Sequence, residues 1–292
     1  MAGSGVREDD SVALVAMQPT SSAPIVIRPS RGWIGLGAPE LWRHRDLAFF
    51  LVWRDLKVRY KQTAFGAGWA ILQPVLLMLV FTAFLGRVAG ISAAGIPYPL
   101  FALSGLVPWT LFAQSLTGAS NSLVNNQNLI AKVYFPRLLL PLSAVASFVI
   151  DFLIATVVLV VAMLLAGRVP PLTFLWVPAL GLYTVVVALA VGLWLAAINV
   201  RYRDVKYAIP FLIQVWLFAS PVAYSIDLVP ERFRVLFSLN PMTGVIDAFR
   251  WAALGGARPD LSMVISAGAT LAILVGGLAY FRRVEQSFAD TI

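Results

Sequence analysis

From Gln62 to Gly86 the chain carries no Asp, Glu, Lys or Arg, and from Val88 to Ala131 it carries none again, while the gaps between such runs hold mostly Lys and Arg. A run of about 20 apolar residues crosses the roughly 30 Å hydrocarbon core of a bilayer as a helix. Inside lipid every backbone N–H and C=O must be satisfied within the segment, which a helix achieves. The weak two-residue alternation of a transmembrane barrel is absent. The chain therefore reads as an all-α polytopic membrane protein. An apolar share of 60%, a charged share of 12% and a mean hydropathy of +0.83 lie outside the range of soluble domains and agree with this.

The same pattern excludes several function classes. A net charge of +8 would suit nucleic acid, but the cations flank apolar runs, where membrane orientation accounts for them, so no nucleic-acid partner is expected. There is no cysteine and the single histidine is His44, so disulfides, thiolate metal sites and histidine clusters are ruled out within one chain. No metal site, bound cofactor or catalytic residue is expected. The apolar stretch from Ser11 to Met17 follows Glu8, Asp9 and Asp10 and lacks the basic flank of a secretory signal.

Residues 1–38, mixed and containing Ser, Pro and Gly, read as a flexible cytosolic tail. From about Glu40 to Lys61 the spacing predicts a helix, the core of an interface segment over 39–67. Trp42, Phe49, Trp53, Leu56 and Tyr60 fall on one face, as in a helix lying at the membrane surface. Six spans are expected over 68–281, at about Gly68–Gly86, Tyr98–Gly118, Pro141–Ala166, Phe174–Asn199, Ala208–Ala223 and Ser262–Phe281. Gly105 and Pro108 are expected to interrupt the second. A longer segment, 224–261, separates the fifth and sixth, and Asn240-Pro241 can open a short helix through Asp247 to Leu254. Residues 282–292 form a C-terminal tail.

Orientation follows from the cations. With the N-terminus cytosolic, the inner segments from Arg28 onward hold 15 Lys or Arg and the outer ones six. That bias places both termini inside.

Three inner motifs stand out. The first is Arg54-Asp55-Leu56-Lys57-Val58-Arg59-Tyr60-Lys61, joined to the first span through Gly66 and Gly68. It fits a basic patch for anionic lipid or a lever that a cytosolic partner pushes. The second runs from Asn125 to Pro141 and includes Lys132-Val133-Tyr134-Phe135-Pro136-Arg137; Pro136 and Pro141 are expected to break the helix and leave Tyr134 and Phe135 at interfacial depth. The third, Arg201-Tyr202-Arg203-Asp204, is a charged turn between spans four and five that suits either docking or simple orientation.

These motifs, with Leu239-Asn240-Pro241-Met242 and the end from Arg282 to Ile292, resemble the permease subunit of the ABC-2 type polysaccharide exporters, from about residue 35 onward. The resemblance implies an interface helix, six spans, two short outer gate helices and a homodimer in a bacterial inner membrane. It also implies two copies of a separate ATPase subunit that binds ATP and magnesium, and a lipid-linked polysaccharide as substrate. In that frame Arg54, Asp55, Lys57, Arg59, Arg201, Arg203 and Asp204 couple to the ATPase. Lys132, Tyr134, Phe135 and Arg137 form the inner loop where substrate enters. Phe81, Phe84, Trp216, Phe218 and Tyr224 line the channel, and Asn240, Pro241, Asp247 and Arg250 form the outer gate. The chain has no Gly-Lys pair, hence no phosphate loop, so an ATP-driven process needs a second polypeptide.

Asp151 is the only acid in an expected span. An intramembrane carboxylate either bonds a neighbouring polar group or serves a proton path. The second choice would make the chain an ion-coupled secondary transporter. A membrane-embedded glycan-modifying enzyme is the other alternative, and would need convergent carboxylates.

Overall fold

The computed structural model describes residues 38–61, 68–88, 95–202, 204–256, 258–259 and 261–285. Among these the regular structure is helical. In chain order the helices are α1 (Ala38–Arg43), α2 (Arg45–Lys61), α3 (Gly68–Phe81) continued by a π-helical stretch (Thr82–Val88), α4 (Tyr98–Asn125), α5 (Gln127–Lys132), α6 (Leu139–Ser147) and α7 (Val149–Leu165). A 3-10 turn (Leu172–Trp176) leads into α8 (Val177–Arg201), followed by α9 (Val205–Phe218), α10 (Glu231–Leu239), α11 (Pro241–Leu254) and α12 (Leu261–Glu285).

Among the described residues, five helical stretches are long and apolar enough to cross a membrane: Gly68–Val88, Tyr98–Asn125, Leu139–Leu165, Leu172–Arg201 and Ser262–Glu285. The fifth expected span is α9, which has 14 residues and so reaches about 21 Å, short of the hydrocarbon thickness. Its chain turns at Ala219 instead of continuing to Ala223.

α4 is the central post, and most of its side chains are buried. The expected interruption does not occur: α4 runs unbroken through Gly105 and Pro108. Neighbouring helices support it, as they do other proline-containing membrane helices. Three of its buried hydroxyls turn back on their own helix, Ser104 to the Phe101 carbonyl, Ser120 to Leu116 and Ser122 to Ala119, so apolar burial leaves these three satisfied. α8 lies close along it because Gly192 faces Ala119; a Cβ at Gly192 would sit 2.7 Å from the Ala119 Cβ. Small residues replace large ones at such contacts because lipid offers helices no hydrophobic gain from pairing.

The breaks fall elsewhere. The third span divides at Phe148 into α6 and α7, and the first span ends in the π-helical stretch. Pro141 lies in the first turn of α6, where a missing N–H costs nothing, and so does not break it. The interface segment is two helices with a turn at His44, whose ring nitrogen Nδ1 meets the Glu40 carbonyl at 2.9 Å.

The bundle has two distinct ends. At one, Leu51 of α2 packs with Leu123, Ile130, Leu138, Leu193 and Phe281. At the other, Leu100, Met163, Val177, Phe249 and Ala252 pack together. The first is the end expected to hold the interface and the second the end expected to hold the gate.

Candidate functional site

At the interface end, α2 presents two apolar surfaces where the sequence suggested one. Leu47, Ala48 and Leu51 face the bundle. Trp42, Phe49, Phe50 and Trp53 are exposed, a surface suited to the bilayer interface. Leu56 and Tyr60 are half-buried between the two. Periodicity alone cannot separate a lipid-facing from a protein-facing apolar side.

The charged residues of α2 divide in the same way. Lys57 is exposed, and Arg54 pairs with its neighbour Asp55 at 2.9 Å. Arg59 turns inward. Its Nη1 donates to Asp151 Oδ2 at 2.6 Å and to the Ser147 carbonyl at 3.3 Å, and its Nη2 donates to Ser147 Oγ at 2.9 Å. The guanidinium lies 3.8 Å over the Phe148 ring. The Tyr60 hydroxyl donates to the other carboxylate oxygen of Asp151. Burial, and next the hydrogen bond to Asp151, push the Tyr60 hydroxyl up to about 12. Asp151 thus bonds the interface helix, and both of its oxygens are engaged.

In the inner loop the structure separates the named residues. Lys132 and Tyr134 are exposed, whereas Phe135 is 5% exposed and belongs to the apolar cluster. Arg137 donates to the Glu285 carbonyl through its side chain and to the Glu285 carboxylate through its backbone N–H at 3.2 Å, tying the loop to α12. Arg201 is exposed, with its guanidinium 5.6 Å from the Tyr202 ring. Asp204 is exposed at the start of α9, where its carbonyl accepts from the Tyr207 and Ala208 N–H groups. Arg203 and the hinge at Gly66 lie outside the described residues.

At the gate end, Asn240 and Pro241 do what their spacing predicts. Asn240 caps α11, its Oδ1 accepting from the Met242 N–H at 3.1 Å, with Pro241 at the first helical position. The same oxygen accepts from Trp216 Nε1 at 2.9 Å, and Nδ2 donates to Ser220 Oγ at 2.9 Å and the Ala219 carbonyl at 3.1 Å. One side chain therefore joins the end of α9 to the start of α11.

Arg250 on α11 is buried beneath this turn. Its Nη2 donates to the Val222 carbonyl at 2.5 Å and its Nη1 to the Tyr224 carbonyl at 3.3 Å, while the guanidinium lies 3.8 Å over the Phe101 ring. The Tyr98 hydroxyl donates to the next carbonyl, Ala223, at 2.7 Å. α11 is not a spanning helix, and burial lowers its Arg250 to about 10, opposed by the carboxylate of Asp247, so the charge persists at neutral pH. The non-helical backbone after α9 is held by side chains, as membrane proteins require of irregular segments.

The named aromatics fall into two sets. Phe84 and Phe218 are exposed. Phe81 packs beside Phe101 and Tyr98, Trp216 meets Phe112 edge-on at 5.0 Å, and the Tyr224 hydroxyl donates to the Phe218 carbonyl at 2.9 Å. An apolar cleft of about 420 Å³ opens beside Trp216, Ala219, Leu236, Phe237, Leu239 and Pro241. Three contributors escaped sequence reading: Ser147, the break at Phe148, and Gly105, which seats the Val222 carbonyl. The first two carry no local signal, and Gly105 suggested only an interruption.

The fold and these two ends define a polytopic α-helical membrane protein, with a helix bearing exposed aromatics at one end and short capped helices at the other. Residues 47–254 match the model of the ABC-2 type transporter family, and the chain belongs to that family. It is similar to the O-antigen export system permease protein RfbA of Klebsiella pneumoniae, at 29% identity over 85% of this chain and 95% of that one. The RfbA of Myxococcus xanthus is also 29% identical, over 87% and 98%. The polysialic acid transport protein KpsM of Escherichia coli is 25% identical over 82% and 93%.

Proposed function

We propose that this chain is the membrane half of an ATP-driven exporter that moves a lipid-linked cell-envelope polysaccharide out across the bacterial inner membrane. The observation that carries this reading is the match to O-antigen export permeases along 95% or more of their length. In this reading two copies of the chain pair, both termini are cytosolic, and two ATPase subunits dock on the interface end. ATP and magnesium bind those subunits, since this chain has no phosphate loop.

The geometry suits that division of labour. Lys57 and Arg201 are exposed at the interface end and available to a docking partner. Arg54 and Asp55 are half-buried beside them. ATP-driven rearrangement of the partner changes its contacts with this surface, and only such a difference can shift the membrane helices. At the gate end, Asn240 and Arg250 hold the short helices through a few polar contacts, leaving apolar and aromatic surface for sugar C–H groups to slide along. The test is reconstitution with the cognate ATPase in proteoliposomes holding a polyprenyl-linked O-antigen oligosaccharide. ATP-dependent movement of the glycan is expected. ATP hydrolysis by the isolated chain, or glycan movement driven by an ion gradient without ATP, refutes the reading.

A further inference from the structure

The third span is divided where the interface helix reaches it. α6 ends at Ser147, α7 starts at Val149, and the Phe148 N–H falls back to the Val145 carbonyl at 3.0 Å. Arg59 contacts all of this junction: the Ser147 carbonyl and hydroxyl, the Phe148 ring and the Asp151 carboxylate. Tyr60 takes the remaining Asp151 oxygen. Phe148 then presses on the central helix, since a Cβ at Gly118 of α4 would lie 2.6 Å from its Cε2. Beyond Asp151 lies a polar niche of about 20 Å³, lined by Gln73 of α3 and by Thr110 and Gln114 of α4, large enough for one water. The last turn of α2 thus meets the junction of α6 and α7 at one carboxylate, and α3 and α4 line the niche beyond it.

We propose that Asp151, with Arg59 and Tyr60, is a positioning site for transport: a latch through which movement of the interface helix enters the membrane at the break in the third span. The functional half of this rests on the exporter reading. α2 cannot turn or slide without carrying residues 147–151 with it or leaving a mostly buried carboxylate without its cation, and the second course is expensive. The guanidinium is essential because its planar fork reaches three partners at once, which an ammonium cannot. This also recasts Arg59 as an inward-facing link between the docking surface and the spans.

The test has two arms. In the isolated chain in nanodiscs, Asp151→Asn should speed hydrogen exchange of the α2 C-terminal turn by at least about tenfold, the scale of losing a hydrogen bond to a charged group. Tyr60→Phe, which removes only a hydroxyl, should give a smaller increase. In proteoliposomes with the ATPase and the polyprenyl-linked oligosaccharide, glycan moved per ATP hydrolysed should fall about tenfold for Asp151→Asn and severalfold for Arg59→Lys. The exchange Arg59→Asp with Asp151→Arg should recover part of it. Asp46→Asn, whose side chain is 98% exposed at the start of α2, serves as the control. Unchanged exchange in Asp151→Asn overturns the latch. So does an equal loss of hydrolysis and export in every variant, Tyr60→Phe included, because a purely structural role predicts that. If the unaltered complex hydrolyses ATP but moves no glycan, the exporter reading fails, and the exchange arm still decides the latch.

Discussion

Replacing Gly105 by alanine tests how the gate end is assembled. A Cβ at Gly105 would lie 2.5 Å from the Val222 carbonyl oxygen and 2.9 Å from Arg250 Nη2, the two atoms joined by the 2.5 Å hydrogen bond that holds the turn after α9. A backbone carbonyl cannot swing away as a side-chain tip can. Overpacking of this kind costs about 1–3 kcal/mol, and a weakened charge-assisted hydrogen bond adds about 1.5–3 kcal/mol. Roughly 3 kcal/mol is expected in all. Arg250→Met should cost a similar amount, roughly 3 kcal/mol, by leaving the Val222 and Tyr224 carbonyls without their donor. Because both substitutions act on one contact, the double variant should cost less than the sum by at least about 1 kcal/mol. Reversible unfolding of the three variants in mixed detergent micelles measures this cycle. Additivity within about 0.5 kcal/mol would show that Gly105 and Arg250 act independently and refute the reasoning.

Asn240→Ala removes the cap of α11 and the link to Trp216 and Ser220, so it should destabilise the gate turn by about 1–3 kcal/mol, read as faster hydrogen exchange over residues 241–246; protection equal to the unaltered chain contradicts it. Tyr60 titrates at about 12 when docked against an ordinary 10, so its contribution to holding α2 should be complete below pH 10 and lost as pH rises towards 12. The absence of native cysteines allows a single spin label at Val58→Cys to report this, and mobility that rises fully below pH 10 counts against it. For topology, a cysteine placed at Ser92 should react with an impermeant thiol reagent from outside the cell, and one at Tyr134 should react only after permeabilisation; the reverse pattern inverts the orientation.

Much of the architecture was legible because lipid imposes one-dimensional rules. A charge-free run of sufficient length must be a helix, so the positions of four spans, α12 among them, followed from where charges stop, and the third was an apolar run holding Asp151 alone. The cap at Asn240-Pro241 was legible because capping is local chemistry within three residues. The division of the third span was not, because nothing in Ala146-Ser147-Phe148-Val149 differs from an unbroken apolar helix. The break is stabilised by Arg59, 88 positions away in sequence from Ser147. The same distance hid the role of Asp151, which the sequence left between a structural partner and a proton path. In the structure both of its oxygens are engaged by α2.

Gly105 and Pro108 misled for a related reason. Local propensity says that such residues interrupt a helix, but neighbours in a bundle support α4 through them, and Gly105 serves as a seat for the chain after α9. Hydropathy and charge, which need no partner to act, determined membrane residence, helical class and the placement of cations near the membrane faces. Which cation turns inward, which aromatic is buried and where a span bends depend on contacts between residues about 100 positions apart, and so only tertiary packing decided them.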